Sequence, residues 1–176
     1  MIQIRKPWHL FSMLRAAFDL DFELLTSGRM SQNYHPSNTV IGNHPVFIEE
    51  GVQVYASVLN TQEGPIYIGK NSQIMEGSLL RGPIGISDNS AIKMGAKTYG
   101  PCCIGPHSKI GGEVKNVMFF GYSNKGHDGF LGDSVIGEWC NLGADTNTSN
   151  LKNNYARVKL WNYESERFEQ TEEQFL

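Results

Sequence analysis

An eighteen-residue repeat constrains the fold of this chain more than any other feature of its sequence. Copies begin at Gly64-Pro65, Gly82-Pro83 and Gly100-Pro101, spaced 18 residues apart. Within the copies an aliphatic residue recurs every six residues, with one exception at Thr98; the positions are Ile68, Ile74, Leu80, Ile86, Ile92, Thr98, Ile104 and Ile110. Four residues after each of the first seven comes a mostly small side chain, at Ser72, Ser78, Ile84, Ser90, Ala96, Cys102 and Ser108.

A six-residue period with one inward aliphatic residue is typical of a parallel β-helix. Three six-residue faces make one triangular coil of 18 residues, and each coil stacks on the next by parallel strand pairing, about 4.8 Å along the axis. The small residue falls near a corner, where a large side chain would collide, and Gly and Asn tolerate the dihedral angles there. By analogy with other hexapeptide-repeat proteins, we predict an all-β fold, a left-handed parallel β-helix.

The chain divides into three zones around this repeat. Residues 1–46 are predicted to be a connector helix and linker, residues 47–150 the β-helix, and residues 151–176 an extended or hairpin arm that ends without a capping coil. Between Gly112 and Phe130 the repeat is lost, so we expect an interruption of the coils there.

The connector carries the apolar stripe of an amphipathic helix. Apolar residues recur at spacings of three and four from Trp8 to Leu25, and Pro7 and Gly28 suit its first turn and its end. Asp19 and Asp21 weaken the middle, where a break would fall. The stripe leaves open whether the helix packs on its own domain or connects to a partner.

Charge and cysteine content exclude several classes of protein. The chain has 15 Lys+Arg and 18 Asp+Glu, so no basic excess indicates nucleic acid and no run of like charge indicates an anionic membrane. No apolar stretch approaches the roughly 20 residues of a membrane span. Three cysteines, two of them adjacent, give neither a disulfide framework nor spaced metal ligands. We therefore predict a cytoplasmic protein without a metal, a nucleic-acid partner or a membrane partner.

His127 is the strongest candidate for chemistry within the predicted interruption. Glycines at 126 and 129 give it backbone room and exposure, and a histidine can serve as general base near neutral pH. From the sequence alone, a role for His127 as general base and a purely structural role are equally well supported. Asn141 and Asn150 are ordinary at β-helix corners, because asparagine tolerates left-handed dihedral angles. Lys115, Lys125 and Lys152 could each meet a phosphate as a point charge.

The chain resembles a known family most specifically between Gly126 and Ala144. The run begins Gly-His-Asp-Gly-Phe-Leu-Gly-Asp and continues Ser-Val-Ile-Gly-Glu-Trp-Cys-Asn-Leu-Gly-Ala. It is similar to the left-handed β-helix acyltransferase domain of sugar-1-phosphate nucleotidyltransferases, among them the bifunctional UDP-N-acetylglucosamine pyrophosphorylase/glucosamine-1-phosphate acetyltransferases. In that family the run reads Gly-His-x-x-Tyr-hydrophobic-Gly-Asp, followed by Asn-hydrophobic-Gly-Ala-Gly-Thr and, shortly afterwards, a further Asn. The resemblance covers roughly residues 47–150.

The resemblance implies a role for each candidate residue. His127 matches the general base that takes a proton from the sugar amine as the amine attacks the thioester of acetyl-CoA. Asn141 and Asn150 match residues that line the sugar-phosphate and acetyl pocket, and Lys115 matches a lysine that contacts the phosphate. The resemblance also implies a homotrimer with sites between neighbouring β-helices, acetyl-CoA as co-substrate, and an amino-sugar 1-phosphate as acceptor in nucleotide-sugar synthesis.

Four departures from the family pattern bear on this expectation. Phe130 stands where the family has a tyrosine, Asp145 replaces a glycine, and only Lys97 stands where an arginine that binds sugar phosphate is expected. The coils that bind coenzyme A in the family would follow residue 176. We therefore expect residues 1–176 alone to have little acetyltransferase activity.

Two other functions compete with acyl transfer. A non-catalytic trimerisation or regulatory β-helix module would carry the same repeat without using His127. A β-helix of the carbonic-anhydrase type needs spaced metal-binding histidines, and His107 and His127 stand 20 residues apart without that pattern. The sequence favours a domain derived from the acyltransferase.

Overall fold

The stacked coils expected from the repeat are present. The computed structural model describes residues 2–148, 150 and 153–174, which wind mainly into a parallel β-solenoid of about five turns. In chain order the elements are α1 (His9–Ser12), α2 (Leu14–Thr26), β1 (Thr39–Ile41), β2 (Val46–Ile48), β3 (Gln53–Val54), β4 (Val58–Asn60), β5 (Ile66–Ile68), β6 (Gln73–Ile74), β7 (Leu79–Arg81), β8 (Ile84–Ile86), β9 (Ala91–Ile92), β10 (Lys97–Ile104), β11 (Lys109–Ile110), β12 (Glu113–Phe119), β13 (Asn124–Lys125), β14 (Phe130–Ile136), β15 (Lys159–Asn162) and β16 (Arg167–Gln170). The prediction of a mostly β, stacked-coil fold with an N-terminal helix and a C-terminal hairpin is confirmed.

Three columns of parallel strands form the faces of the solenoid. The first face consists of β1, β4, β7 and the first halves of β10, β12 and β14. The second face consists of β2, β5, β8 and the second halves of the same three long strands. The third face consists of β3, β6, β9, β11 and β13. The eighteen-residue repeat is the register of this stack, since Ile66 pairs with Ile84 and Ile84 with Cys102.

Aliphatic side chains from all three faces fill the interior. The seven aliphatic residues predicted to point inward are each at most 1% exposed; they are Ile68, Ile74, Leu80, Ile86, Ile92, Ile104 and Ile110. The positions predicted for small residues are buried as well, from Ser72 to Ser108. Removal of this apolar surface from water is the main driving force for stacking one coil on another.

A column of buried serines links successive coils at the corner between the second and third faces. The Ser72 hydroxyl donates to the carbonyl of Ser87 at 2.8 Å and accepts from the N–H of Ser90 at 3.1 Å. The Ser90 hydroxyl accepts in turn from the N–H of Ser108, and the Ser108 hydroxyl from that of Ser123. A hydroxyl can satisfy a buried carbonyl and a buried N–H at once, which an aliphatic side chain cannot do.

The interruption predicted between Gly112 and Phe130 is wrong. β12 pairs with β10 on one side and β14 on the other, and β13 continues the third face. The six-residue period disappears because corners lose residues. The two-residue corner Gly100-Pro101 is replaced in the next coil by the single residue Asn116, which adopts a φ of 51°.

The stacked strands also begin within the segment expected to be a linker. β1 pairs with β4, and Val40 lies opposite Leu59. A three-residue strand in a polar segment carries too little periodicity to be recognised from the sequence.

The N-terminal stripe packs on the chain's own solenoid. The helix breaks at Met13, between α1 and α2, and not near Asp19 and Asp21. Leu14 and Phe18 are buried, and a Cβ built at Gly85 on the second face would lie 2.9 Å from the Phe18 ring. The choice left open by the sequence is thus resolved in favour of packing on the same domain.

A hydrogen-bonded carboxylate ties the segment after α2 to the second face. Glu49, 7% exposed, accepts two bonds of 2.7 Å from the Arg29 guanidinium and one of 2.8 Å from the Tyr67 hydroxyl. Burial opposes ionisation of Glu49, but the hydrogen bonds from Tyr67 and Arg29 outweigh it and hold the pKa below its ordinary value. Burial and the neighbouring Glu49 raise the pKa of Tyr67 to about 12. The ionised carboxylate is therefore the form that holds this segment in place.

The predicted arm contains a short antiparallel hairpin. β15 pairs with β16, and Trp161 and Phe168 pack edge to face with ring centres 5.3 Å apart. Residues 151, 152, 175 and 176 of the arm lie outside the described residues.

Truncation of one inward isoleucine tests the packing of the prism. Ile86→Ala is expected to lower the free energy of unfolding by about 2–5 kcal/mol, because the narrow interior cannot collapse around the cavity. Urea denaturation measures the change. Met94→Ala, at an exposed corner position, serves as the control and should change stability by no more than about 0.5 kcal/mol. Equal effects of the two substitutions would contradict the inward assignment.

Candidate functional site

The corner between β13 and β14 presents His127 to solvent. Both His127 and Asp128 are exposed, and His127 lies outside the prism interior. Gly129 has a φ of 115°, and a Cβ there would clash with the carbonyl oxygen of Thr146. The Asp145 N–H donates to the carbonyl of Asp128 at 3.0 Å, so the following segment stacks directly on this corner. The imidazole has no hydrogen-bond partner among the described residues and is free to meet a ligand.

Lys115 lies on the outer surface of the first face. It is exposed on β12, next to Tyr99 of β10 and Gly132 of β14. Its ammonium makes no ion pair with any residue that the structure describes. The ring of Phe130 lies over Gly132, where an added Cβ would be 2.7 Å from a ring carbon. A phosphate could therefore bind Lys115 without displacing a protein partner.

A polar cluster that the sequence did not predict lies beside Lys115. The Tyr99 hydroxyl donates to Glu113 at 2.7 Å, and the Lys97 ammonium lies 3.9 Å from the same carboxylate. Burial and the bond to Glu113 raise the pKa of Tyr99 to about 12. Lys97, at the position where an arginine was expected, is thus already paired with an anion. Lys97 and Glu113 are 16 residues apart and lie side by side because this coil is shorter than the 18-residue repeat. The spacing would predict their pairing only if the length of this coil were known beforehand.

An open groove of about 520 Å³ runs down the first face from this cluster. Its lining includes Ile41, Val58, Leu79, Arg81 and Tyr99. The floor is mainly apolar and the cationic side chains stand at the edge. Lys115 therefore lies just beyond one end of an apolar surface.

Asn150 lies at the corner between the first and second faces. Its side-chain amide is 3.4 Å from the carbonyl oxygen of Asp133, and the carboxylate of Asp133 accepts a hydrogen bond from the amide of Asn116. Because Asn116 directly follows Lys115, this corner brings Lys115 and Asn150 into one neighbourhood.

Asn141 lies on the third face, away from that corner. Its side-chain oxygen accepts a hydrogen bond of 2.8 Å from Asn124, one coil below, and the two residues form a parallel bridge. His127 occupies the corner where the third face turns into the first. Within one chain, therefore, Lys115 and Asn150 lie at one edge of the first face, His127 at the other edge, and Asn141 on a different face.

No family model and no curated protein matches this chain. Within the part of the chain that the structure describes, no helix is long and apolar enough to cross a bilayer. No three His, Cys, Asp or Glu side chains are grouped there to hold a metal ion, and the three cysteines are free. The family resemblance therefore depends on the motif around His127 and on the solenoid fold.

The tight contact at Gly129 predicts how this corner tolerates a side chain. Gly129→Ala is expected to lower the free energy of unfolding by about 2–4 kcal/mol, through backbone strain and the clash with Thr146. Gly95→Ala is the matched control at the same corner two coils below. Gly95 has a φ of 68° with no atom within 4 Å of an added Cβ, so this change should cost only about 1 kcal/mol. Equal losses in urea denaturation would contradict the stacking of residues 145–146 on the His127 corner.

Proposed function

We propose that this chain is an acyltransferase-type domain that uses acetyl-CoA to acetylate the amino group of an amino-sugar 1-phosphate. The observation that carries the proposal is that His127 and Lys115 are exposed at opposite edges of the same face, with no side-chain partner among the described residues. The first has the chemistry of a general base and the second that of a phosphate ligand. The proposal includes a cytoplasmic role in nucleotide-sugar synthesis.

The proposed reaction needs one base and one anion-binding cation. The substrate amine attacks the thioester carbon, so that an N–C bond forms and the C–S bond breaks. His127 accepts the proton lost by the amine and passes it to the coenzyme A thiolate, which leaves as the thiol. Lys115 binds the phosphate and thereby fixes the sugar. Positioning of this kind is effective only if the reacting atoms approach to about 3–3.5 Å.

A homotrimer would complete the site. Asn141 lies on a different face from Lys115 in one chain, so the two act on one ligand only if neighbouring solenoids present different faces to the same cleft. In this proposal Asn141 and Asn150 supply amide hydrogen bonds to the sugar and the acetyl group. Phe130, in place of tyrosine, offers an apolar ring and no hydroxyl to the acceptor.

A non-catalytic trimerisation or regulatory module is the second candidate. The groove on the first face favours it, since Ile41 and Leu79 are 40% and 48% exposed. Apolar surface of this kind is typical of the core of homo-oligomer interfaces. Both candidates include self-association, and they differ in whether His127 and Lys115 have a chemical role.

Removal of the Lys115 charge tests the phosphate site. Lys115→Ala is expected to raise the Kd for glucosamine 1-phosphate by about tenfold or more, because a charge-assisted contact to phosphate is lost. Isothermal titration calorimetry on the 176-residue chain measures it. Lys109→Ala removes an exposed lysine from the third face and should leave the Kd unchanged. If both variants bind like the parent, Lys115 is not the phosphate ligand.

Removal of the His127 imidazole tests the base. His127→Ala is expected to slow acetyl transfer by about 100-fold or more while the Kd for the sugar phosphate stays unchanged. Thiol release from acetyl-CoA is followed in the longest natural gene product that contains this chain. His44→Ala removes another exposed histidine and should turn over like the parent. An unchanged rate in His127→Ala would favour the non-catalytic module.

A further inference from the structure

Lys125 breaks the chemical pattern of the solenoid interior. It continues the inward column of the third face, in which Ile74, Ile92 and Ile110 lie below it in register. Lys125 is 1% exposed, as buried as the isoleucines. An ammonium removed from water is strongly destabilising unless other groups compensate it. Three coils show that an isoleucine fills the same position, so packing alone does not require a lysine.

The Lys125 ammonium joins two successive corners. It donates to the carbonyl of Gly111 at 3.1 Å and to the carbonyl of His127 at 2.8 Å. Burial lowers the pKa of Lys125, while the carboxylates of Asp128 and Asp145 act in the opposite direction. Hydrogen bonds from a charged donor are among the stronger ones in proteins. The corner that carries His127 is thus anchored from inside the prism.

The bond to Gly111 replaces a contact made by serine in a lower coil. There the Ser78 hydroxyl donates to the carbonyl of Lys93 at 3.0 Å. Ala96 occupies the next serine position and has no donor, so the equivalent carbonyl, that of Gly111, receives its bond from Lys125. The hydrogen bond from Lys125 to the carbonyl of Gly111 therefore has a structural explanation.

The bond to His127 has no such counterpart. Glu76 and Met94 stand at the positions equivalent to His127 in two lower coils. Neither carbonyl accepts a hydrogen bond from a side chain among the described residues. The internal anchor is thus specific to the corner that bears the candidate base.

We infer that Lys125 is a positioning residue, which holds the carbonyl of His127 and thereby fixes the direction in which its imidazole projects. The His127 corner has glycine at both ends, and glycine is the least restrained residue. A catalytic side chain must stay within about 0.5 Å of its productive position. A deviation from the packing rule of a fold is expected where a functional group needs support. Only the catalytic part of this inference rests on the proposed function, because the anchoring does not depend on the reaction.

The decisive variant is Lys125→Ile, which introduces the residue found in the three lower coils. The substitution removes the cost of burying an ammonium but also the hydrogen bond to the Gly111 carbonyl, so the midpoint of thermal unfolding should change little. Backbone order parameters from ¹⁵N relaxation of the full chain are expected to fall at residues 126–129. Residues 93–96, at the same corner two coils below, serve as the internal control and should not change. Lys125→Met, which has a similar length and no donor, is the second variant and should behave in the same way.

Two results would overturn the anchoring. One is unchanged order at residues 126–129 in both variants, and the other is an equal loss of order at residues 93–96. The second result would mean that Lys125 stabilises the stack in general and not this corner.

A double-mutant cycle tests the link to catalysis. Lys125→Ile is expected to slow acetyl transfer by about tenfold or more in the parent, and to cause no further loss in a His127→Ala background. Equal losses in both backgrounds would overturn the positioning role. If His127→Ala alone leaves turnover unchanged, the proposed function fails, and the relaxation measurement still decides whether Lys125 holds the corner.

Discussion

Burial of mainly aliphatic side chains from all three faces of every coil, in one narrow prism, is the constraint on which the structure depends. It fixes the register of all three faces, because a shift of one residue would move an isoleucine such as Ile86 to the outside. It also leaves the outer surface nearly free of structural demands. Outward residues can therefore vary in chemistry from coil to coil, and the first face carries an apolar groove at one end and charged groups at the other.

The constraint is weaker at the corners between faces, and the candidate functional residues lie at or next to them. A corner can gain or lose a residue as long as the strands on either side still reach the interior. The single-residue corner at Asn116 and the short Gly111-Gly112 corner shift the outward residues without breaking the ladder. The coil that begins after Gly111-Gly112 and contains the Asn116 corner carries Lys115 and ends at the corner of His127. Local irregularity and candidate function therefore coincide in this coil, while the stack remains continuous.

The shortened corners also determine how much of the fold could be predicted from the sequence. The inward isoleucines up to Ile110 could be assigned because each lies six residues from the next. Counting on by six from Ile110 leads to Asn116 and Tyr122, neither of which is in the core, whereas the residue in register with Ile110 is Lys125. The shortened corners remove the six-residue period, so the continuing coil resembles an interruption in the sequence. His127 could be named because its flanking glycines are visible locally, but its anchor could not, because that requires the register.

The distribution of charge beside the groove on the first face affects how two such solenoids would pack against each other. Near the groove, Arg81 pairs with Glu63 and Lys97 with Glu113, so the cations at its edge are largely neutralised. Exposed pairs of this kind add little to stability, but they remove the like-charge repulsion that would oppose contact between copies. Lys115 is the exception on this face, since it lacks a carboxylate partner among the described residues. A surface that is apolar and balanced in charge except at one lysine suits an interface that leaves one positive site for an anionic ligand at its edge.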